Sequence, residues 1–181
     1  MVELAGERFA LDSTHVGLAC ATFPEMQALA VLEQLPKLRS LSLGSSNIND
    51  SGLAIVAKLG GLAQLDLQET PVTAQGLAHL RTLPKLSWLR LKECPALGPE
   101  ATAVLSRFPA LTELQLHGSG ISSADLPPLA ALKGLRDLLL DRHSVSIKAV
   151  EALSAQLPSC CILVKGHGEC LGGRYRHFGG D

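Results

Sequence analysis

Leucine recurs along this chain in a fixed pattern, L-x-x-L-x-L. Five segments fall into register on it: LRSLSL from Leu38, LAQLDL from Leu62, LSWLRL from Leu86, LTELQL from Leu111 and LRDLLL from Leu135. The spacings are 24, 24, 25 and 24 residues. One period further on, CILV carries Ile162 and Val164 where the preceding unit has Leu138 and Leu140. Upstream, Phe9 and Leu11 in RFALDS read as an edge strand, separated from Leu38 by a longer first coil. In each x-L-x-L-x stretch the leucines alternate, so one side of a strand points inward and the other outward. A unit this short cannot bury its leucines alone. Neighbouring units must stack to share one core.

The second half of each unit reads as a turn and a helix. An apolar residue follows each strand, at Ile48, Val72, Leu97, Ile121 and Val145. Helix-start residues come next: Asn49, Thr73, Ser122 and Ser146 each carry a side chain that satisfies orphan N–H groups. In the third coil Pro99 suits a first helical position. Leu53 with Val56, Leu77 with Leu80, and Val150 with Leu153 stand at i, i+3, the spacing of one buried helix face. Stops recur before each strand: Leu35-Pro36, Gly60-Gly61, Leu83-Pro84, Phe108-Pro109, Gly134 and Leu157-Pro158. Pro127 and Pro128 make the fourth coil's helix short or 3₁₀-like.

These residues resemble the leucine-rich-repeat family over roughly residues 7 to 165. Segments such as NINDSGLAIVAKL and PVTAQGLAHLRTL are similar to the helix-bearing subtype of ribonuclease-inhibitor-like and many bacterial repeat proteins. The resemblance implies an α/β fold: a right-handed solenoid with a parallel sheet on its concave face and helices on its convex face. Residues 1–165 then form a single solenoid. A cap coil covers 1–37, repeats begin at 38, 62, 86, 111 and 135, and the last strand lies at 161–164. Residues 166–181 form a glycine-rich C-terminal cap or a flexible tail. About seven strands at roughly 4.8 Å give a sheet on the order of 30 Å across. That width suits a protein surface or peptide better than a small molecule.

The resemblance also sorts scaffold from surface. The ninth position of each repeat, which in the family faces inward and bonds the backbone turns, holds Ser46, Thr70, Cys94, Ser119 and His143. His143 is too large for that place, so the last coil must open or turn it outward. Between the strand leucines, the concave side carries Asp66 and Gln68, then Trp88, Arg90 and Lys92. Glu113, Gln115 and His117 follow, then Asp137, Leu139 and Asp141. These are the candidate partner-binding residues. Trp88 is the single tryptophan and lies beside an arginine, and these are the residue types that most often anchor interfaces. Leu139 and Leu163 share a register beside Cys161 and make an apolar spot. A partner covers it, or the chain's own tail does, with the tail favoured.

Composition narrows the function. The chain has 36 leucines and is 46% hydrophobic, which excludes disorder. Sixteen basic residues balance 17 acidic ones, so no general attraction to nucleic acid or to an anionic membrane is expected. No apolar run approaches the roughly 20 residues of a membrane-spanning helix. Met1 to Gly6 lack the basic-then-apolar pattern of a signal peptide. Five cysteines, an odd number, favour a reducing cytoplasm over a disulfide framework. Cys160, Cys161, His167, Cys170 and His177 include soft ligands of the type zinc takes, but their spacing matches no closed metal motif. Gly166-His167-Gly168 lacks the following helix of a dinucleotide turn. No nucleophile column accompanies His117, and no catalytic motif emerges. The reading is therefore a non-catalytic module that binds a protein partner, with no cofactor, metal, nucleic acid, membrane or small-molecule substrate. The alternatives are a self-assembling component or fragment of a longer repeat protein, and, less favoured, a metal- or thiol-dependent activity at the C-terminus.

Overall fold

The computed structural model describes residues 1–178, and the chain opens with a small hairpin of its own. Strands β1 (Val2–Leu4) and β2 (Glu7–Phe9) pair antiparallel, apart from the main sheet. This corrects the expectation that RFALDS supplies the sheet's edge strand, since Leu11 is exposed. The edge is instead β3 (His15–Gly17), whose Val16 pairs with Leu41. Val16 and Leu18 stand 25 residues before Leu41 and Leu43, so the leucine period reaches one unit further upstream, with Val16 in the second leucine's place and Ser13 in the first's.

From β3 the chain adds one parallel strand per coil: β4 (Ser40–Ser42), β5 (Gln64–Asp66), β6 (Trp88–Arg90), β7 (Glu113–Gln115), β8 (Asp137–Asp141) and β9 (Cys161–Lys165). Their register superposes the repeat. Leu41, Leu65, Leu89, Leu114, Leu138 and Ile162 are direct partners across the sheet and are all buried. A turn resets each coil before its strand. The N–H groups of Leu38, Leu62, Leu86, Leu111, Leu135 and Cys160 donate to the carbonyl three residues back. Cys160 thus holds the place of the first repeat leucine.

In most coils the return path is an α-helix. Helices α1 (Asp50–Val56), α2 (Ala74–His79), α3 (Glu100–Leu105) and α4 (Ile147–Gln156) are accompanied by 3₁₀ segments at Met26–Gln34, Leu80–Thr82, Ser123–Asp125 and Pro127–Ala131. Asn49 Oδ1 accepts from the N–H groups of Ser51 and Gly52, Thr73 Oγ1 from Gln75, and Ser146 Oγ from Ala149. In the fourth coil both the backbone N–H and the hydroxyl of Ser122 donate to Asp125 Oδ2. The proline pair there leaves 3₁₀ turns, as its missing N–H groups require. Adjacent helix starts are tied as well: Asp50 accepts from the Thr73 N–H and hydroxyl at 2.9 and 2.6 Å.

Leaving the sheet demands a left-handed residue in most coils. Cys20, Ser45, Glu69, Glu93 and Gly118 all have φ between 54° and 73°. They sit at the same place in successive units, and four of the five have a side chain. The turn drops the next residue into the core, where the hydroxyls of Ser46, Thr70 and Ser119 donate to the carbonyl three residues back. Cys94 instead directs its thiol at the Leu67 carbonyl of the preceding coil, 3.0 Å away. In the fifth coil β8 stays extended through Asp141 and Ser144 makes the equivalent bond, so His143 is exposed. A left-handed L-residue costs about 1–2 kcal/mol, and glycine gives back roughly half of that through the unfolded chain. Ser45→Gly should therefore stabilise the protein by about 0.5 kcal/mol in urea titration. Any loss of stability would mean the Ser45–Glu69 hydrogen bond matters more than the strain.

The glycine-rich segment forms β10 (Gly168–Leu171) and β11 (Arg174–His177), which extend the sheet antiparallel beyond β9. Gly168 and Cys170 face the core and are buried, both strands pack on α4, and the Gly173 N–H donates to Ser154 Oγ. Residues 179–181, the end of the expected cap or tail, lie outside the described residues. No helix in the described chain is long and apolar enough to cross a membrane.

Candidate functional site on the sheet face

Strand alternation turns three rows of side chains away from the leucine core. Counting from β3, the first row holds His15, Ser40, Gln64, Trp88, Glu113, Asp137 and Cys161. The second holds Gly17, Ser42, Asp66, Arg90, Gln115, Leu139 and Leu163. The third begins with Gly44 and Gln68 and runs through Lys92 to Asp141 and Lys165. The face therefore changes character along its length, from small side chains to a charged centre to a mixed acidic and apolar end.

The centre is internally linked. The Arg90 guanidinium lies 5.0 Å from the centroid of the Trp88 ring. Its Nη1 donates to Asp66 Oδ2 at 3.2 Å and its Nε to Gln115 Oε1 at 3.1 Å. Four of the expected residues thus form one unit across three strands, with Trp88 half-buried at its edge. Lys92 lies 3.2 Å from Glu93 and 3.8 Å from Glu69. Those two acids, in the left-handed turns, were not among the residues read from the sequence. Gln68 lies across Gly44: its Cγ is 2.8 Å from where a Cβ there would stand.

The C-terminal end is arranged differently. Glu113 and Asp137 are exposed and directly opposite each other in register, and neither has an ion-pair partner among the described residues. Beside them Leu139 and Leu163 are half-buried. Together with Gln115 these side chains line a shallow depression of about 90 Å³. The tail does not cover it: β10 continues the sheet edge-on, and Leu171 and Phe178 remain exposed. That corrects the expectation that the tail's apolar residues fold back over Leu139 and Leu163.

His117 is a second correction. The alternation places it on the sheet face, but the residue is only 6% exposed and Nδ1 has no hydrogen-bond partner among the described residues. Burial, reinforced by Lys165 and Lys92, holds its pKa below the ordinary histidine value. The ring contributes packing rather than contact surface. Asp141 spends one oxygen on the His143 N–H at 3.2 Å.

The C-terminal soft ligands are dispersed. Cys160 and Cys170 point into the core, while Cys161 faces outward near Glu169. His167 and His177 meet edge-to-face at 4.6 Å, with Tyr175 packed alongside. Among the described residues no three His, Cys, Asp or Glu side chains stand together as a metal site. All five cysteines are free. Burial, aided by Asp137, pushes the Cys160 thiol up to about 12, and burial also raises Cys94 and Cys161. Iodoacetamide at neutral pH should therefore label exposed Cys20 first. Mass spectrometry should find Cys94, Cys160 and Cys170 modified only after denaturation. Labelling of Cys160 in the folded protein at the rate of Cys20 would contradict the burial described here.

No family model matches the sequence, and no curated protein sequence matches it significantly. Solved structures do match. An internalin of Listeria monocytogenes is 19% identical with a TM-score of 0.55, over 84% of this chain and 47% of its own. A leucine-rich-repeat protein of Leptospira interrogans is 22% identical with a TM-score of 0.51, over 78% of this chain and 33% of its own. The chain thus spans about half or less of the length of these neighbours, and at such identities the likeness concerns architecture alone. With the leucine register, the parallel sheet and the helical return paths, it establishes that this chain folds as a leucine-rich-repeat solenoid.

Proposed function

We propose that the chain is a non-catalytic protein-binding module and that its sheet face is the contact surface. One observation carries the reading. The protein's single tryptophan stands on the outward side of a central strand, braced by an arginine that Asp66 and Gln115 hold in place. An aromatic fixed in this way loses little freedom on binding, which favours affinity. The residues proposed to meet the partner are Asp66, Gln68, Trp88, Arg90, Lys92, Glu113, Gln115, Asp137, Leu139 and Asp141. Fold alone names a mode of action and not a partner. The near-neutral charge balance argues for a protein partner over nucleic acid or a membrane surface, and five unpaired thiols suit a reducing cytoplasm.

The test compares wild type with a Trp88→Ala, Arg90→Ala double variant as bait in lysate of the source organism. A protein retained by wild type and lost from the variant supports the reading, provided both baits show the same melting temperature. Identical recovery by both baits would remove this face from consideration.

A further inference from the structure

The acidic and apolar end of the sheet face carries more than a general capacity to bind. In the second outward row the first five strands place Gly17, Ser42, Asp66, Arg90 and Gln115, all glycine or polar. The last two parallel strands break the alternation with Leu139 and Leu163, which leaves aliphatic side chains half-exposed on a water-facing sheet. In the first row, Glu113 and Asp137 are direct partners across adjacent strands. Like charges placed opposite one another destabilise a sheet. Elsewhere on this face the structure places cations beside carboxylates: Arg90 with Asp66, and Lys92 with Glu69 and Glu93. Among the described residues, the depression beside Leu139 and Leu163 is lined by both acids, neither with an ion-pair partner, and by no lysine or arginine.

We infer that this depression receives a protein segment that presents a lysine or arginine next to an aliphatic or aromatic side chain. The cation sits between Glu113 and Asp137 and relieves their mutual repulsion, while its apolar neighbour covers Leu139 and Leu163. Charge complementarity selects this occupant. An acidic segment would add to the repulsion, and a purely apolar one would leave both carboxylates beside a dry contact, unpaired. The inference rests on the concave-face reading above and sharpens it by naming the partner's chemistry.

The test starts from random peptides displayed on phage and selected on the full chain, with affinities of the fluorescein-labelled winners read by anisotropy. Enriched peptides should carry Lys or Arg adjacent to Leu, Ile, Met or Phe and bind more weakly as salt is raised. A Glu113→Gln, Asp137→Asn double variant should bind them about tenfold more weakly, and Leu163→Ser should weaken them independently. The same Glu113→Gln, Asp137→Asn variant should melt higher than wild type by on the order of 1–3 °C, because the repulsion is gone. Enriched peptides without cations that lose affinity on Trp88→Ala, but not on neutralising the acids, would overturn this inference and leave the concave reading standing. Peptides insensitive to every substitution on the sheet face would overturn both. A selection that enriches nothing, or a neutralised variant that melts lower than wild type, overturns the inference as well.

Discussion

Leu89→Ala is expected to destabilise the protein by about 3–4 kcal/mol, in the upper half of the range for a buried leucine. Leu89 is fully buried on the middle strand, and its partners in register are Leu65 and Leu114. How much a site can collapse decides what a cavity costs. Here both neighbouring strands are fixed by parallel ladders, and further bonds flank them, from Leu67 N–H to the Arg90 carbonyl and from Leu91 N–H to the Gln115 carbonyl. The walls of the cavity cannot move in. Each coil touches chiefly its neighbours, so a lesion at the centre also weakens the coupling between the two halves. Urea unfolding should show a lower midpoint together with a shallower slope. A cost below about 1 kcal/mol would mean the coils repack far more freely than the register implies.

Ending the chain at Lys165 should have a comparable effect by a different route. The hairpin of β10 and β11 pairs with β9 along Ile162, Leu163 and Val164 and packs on α4. Removing it takes Gly168 and Cys170 out of the core and exposes a bare strand edge with Ile162 and Val164 behind it. Uncapped repeat ends and free edges invite association. A drop in Tm on the order of 10 °C and concentration-dependent oligomers are expected, read by calorimetry and light scattering. Gly168→Ala should act in the same direction more weakly. A Cβ there would clash with the Arg176 carbonyl oxygen, so the two strands must separate to admit it. A truncated chain that stays monomeric and melts like wild type would show that the hairpin is dispensable.

The repeat leucines, the helix caps and the 3₁₀ character after Pro127 were legible because each depends on residues close in sequence. Asn49, Thr73 and Ser146 cap the helices that follow them, whatever the rest of the chain does. The left-handed turns were not legible. Ser45, Glu69 and Glu93 are not residues that prefer φ above zero, and the neighbouring coil imposes that conformation on them. The hairpin was hidden for a related reason: glycines that signal low intrinsic order also permit the tight turns at Gly166 and at Gly172-Gly173. The first sheet strand was missed because valine replaces leucine at position 16, although the period itself ran on. At the candidate site, sequence placed Trp88, Arg90 and the acids on one face. It did not say which acid Arg90 would choose. Asp66 and Gln115 take the guanidinium, and that leaves Glu113 and Asp137 with no ion-pair partner among the described residues.

The single tryptophan makes the central claim directly measurable. Incorporating 5-fluorotryptophan gives one fluorine resonance, from Trp88 on the sheet face. The partner recovered by affinity capture, added in increasing amounts, should shift or broaden that resonance in step with formation of the complex. A complex that forms, by mass, while the Trp88 resonance keeps its position and width would contradict a binding surface centred on this sheet.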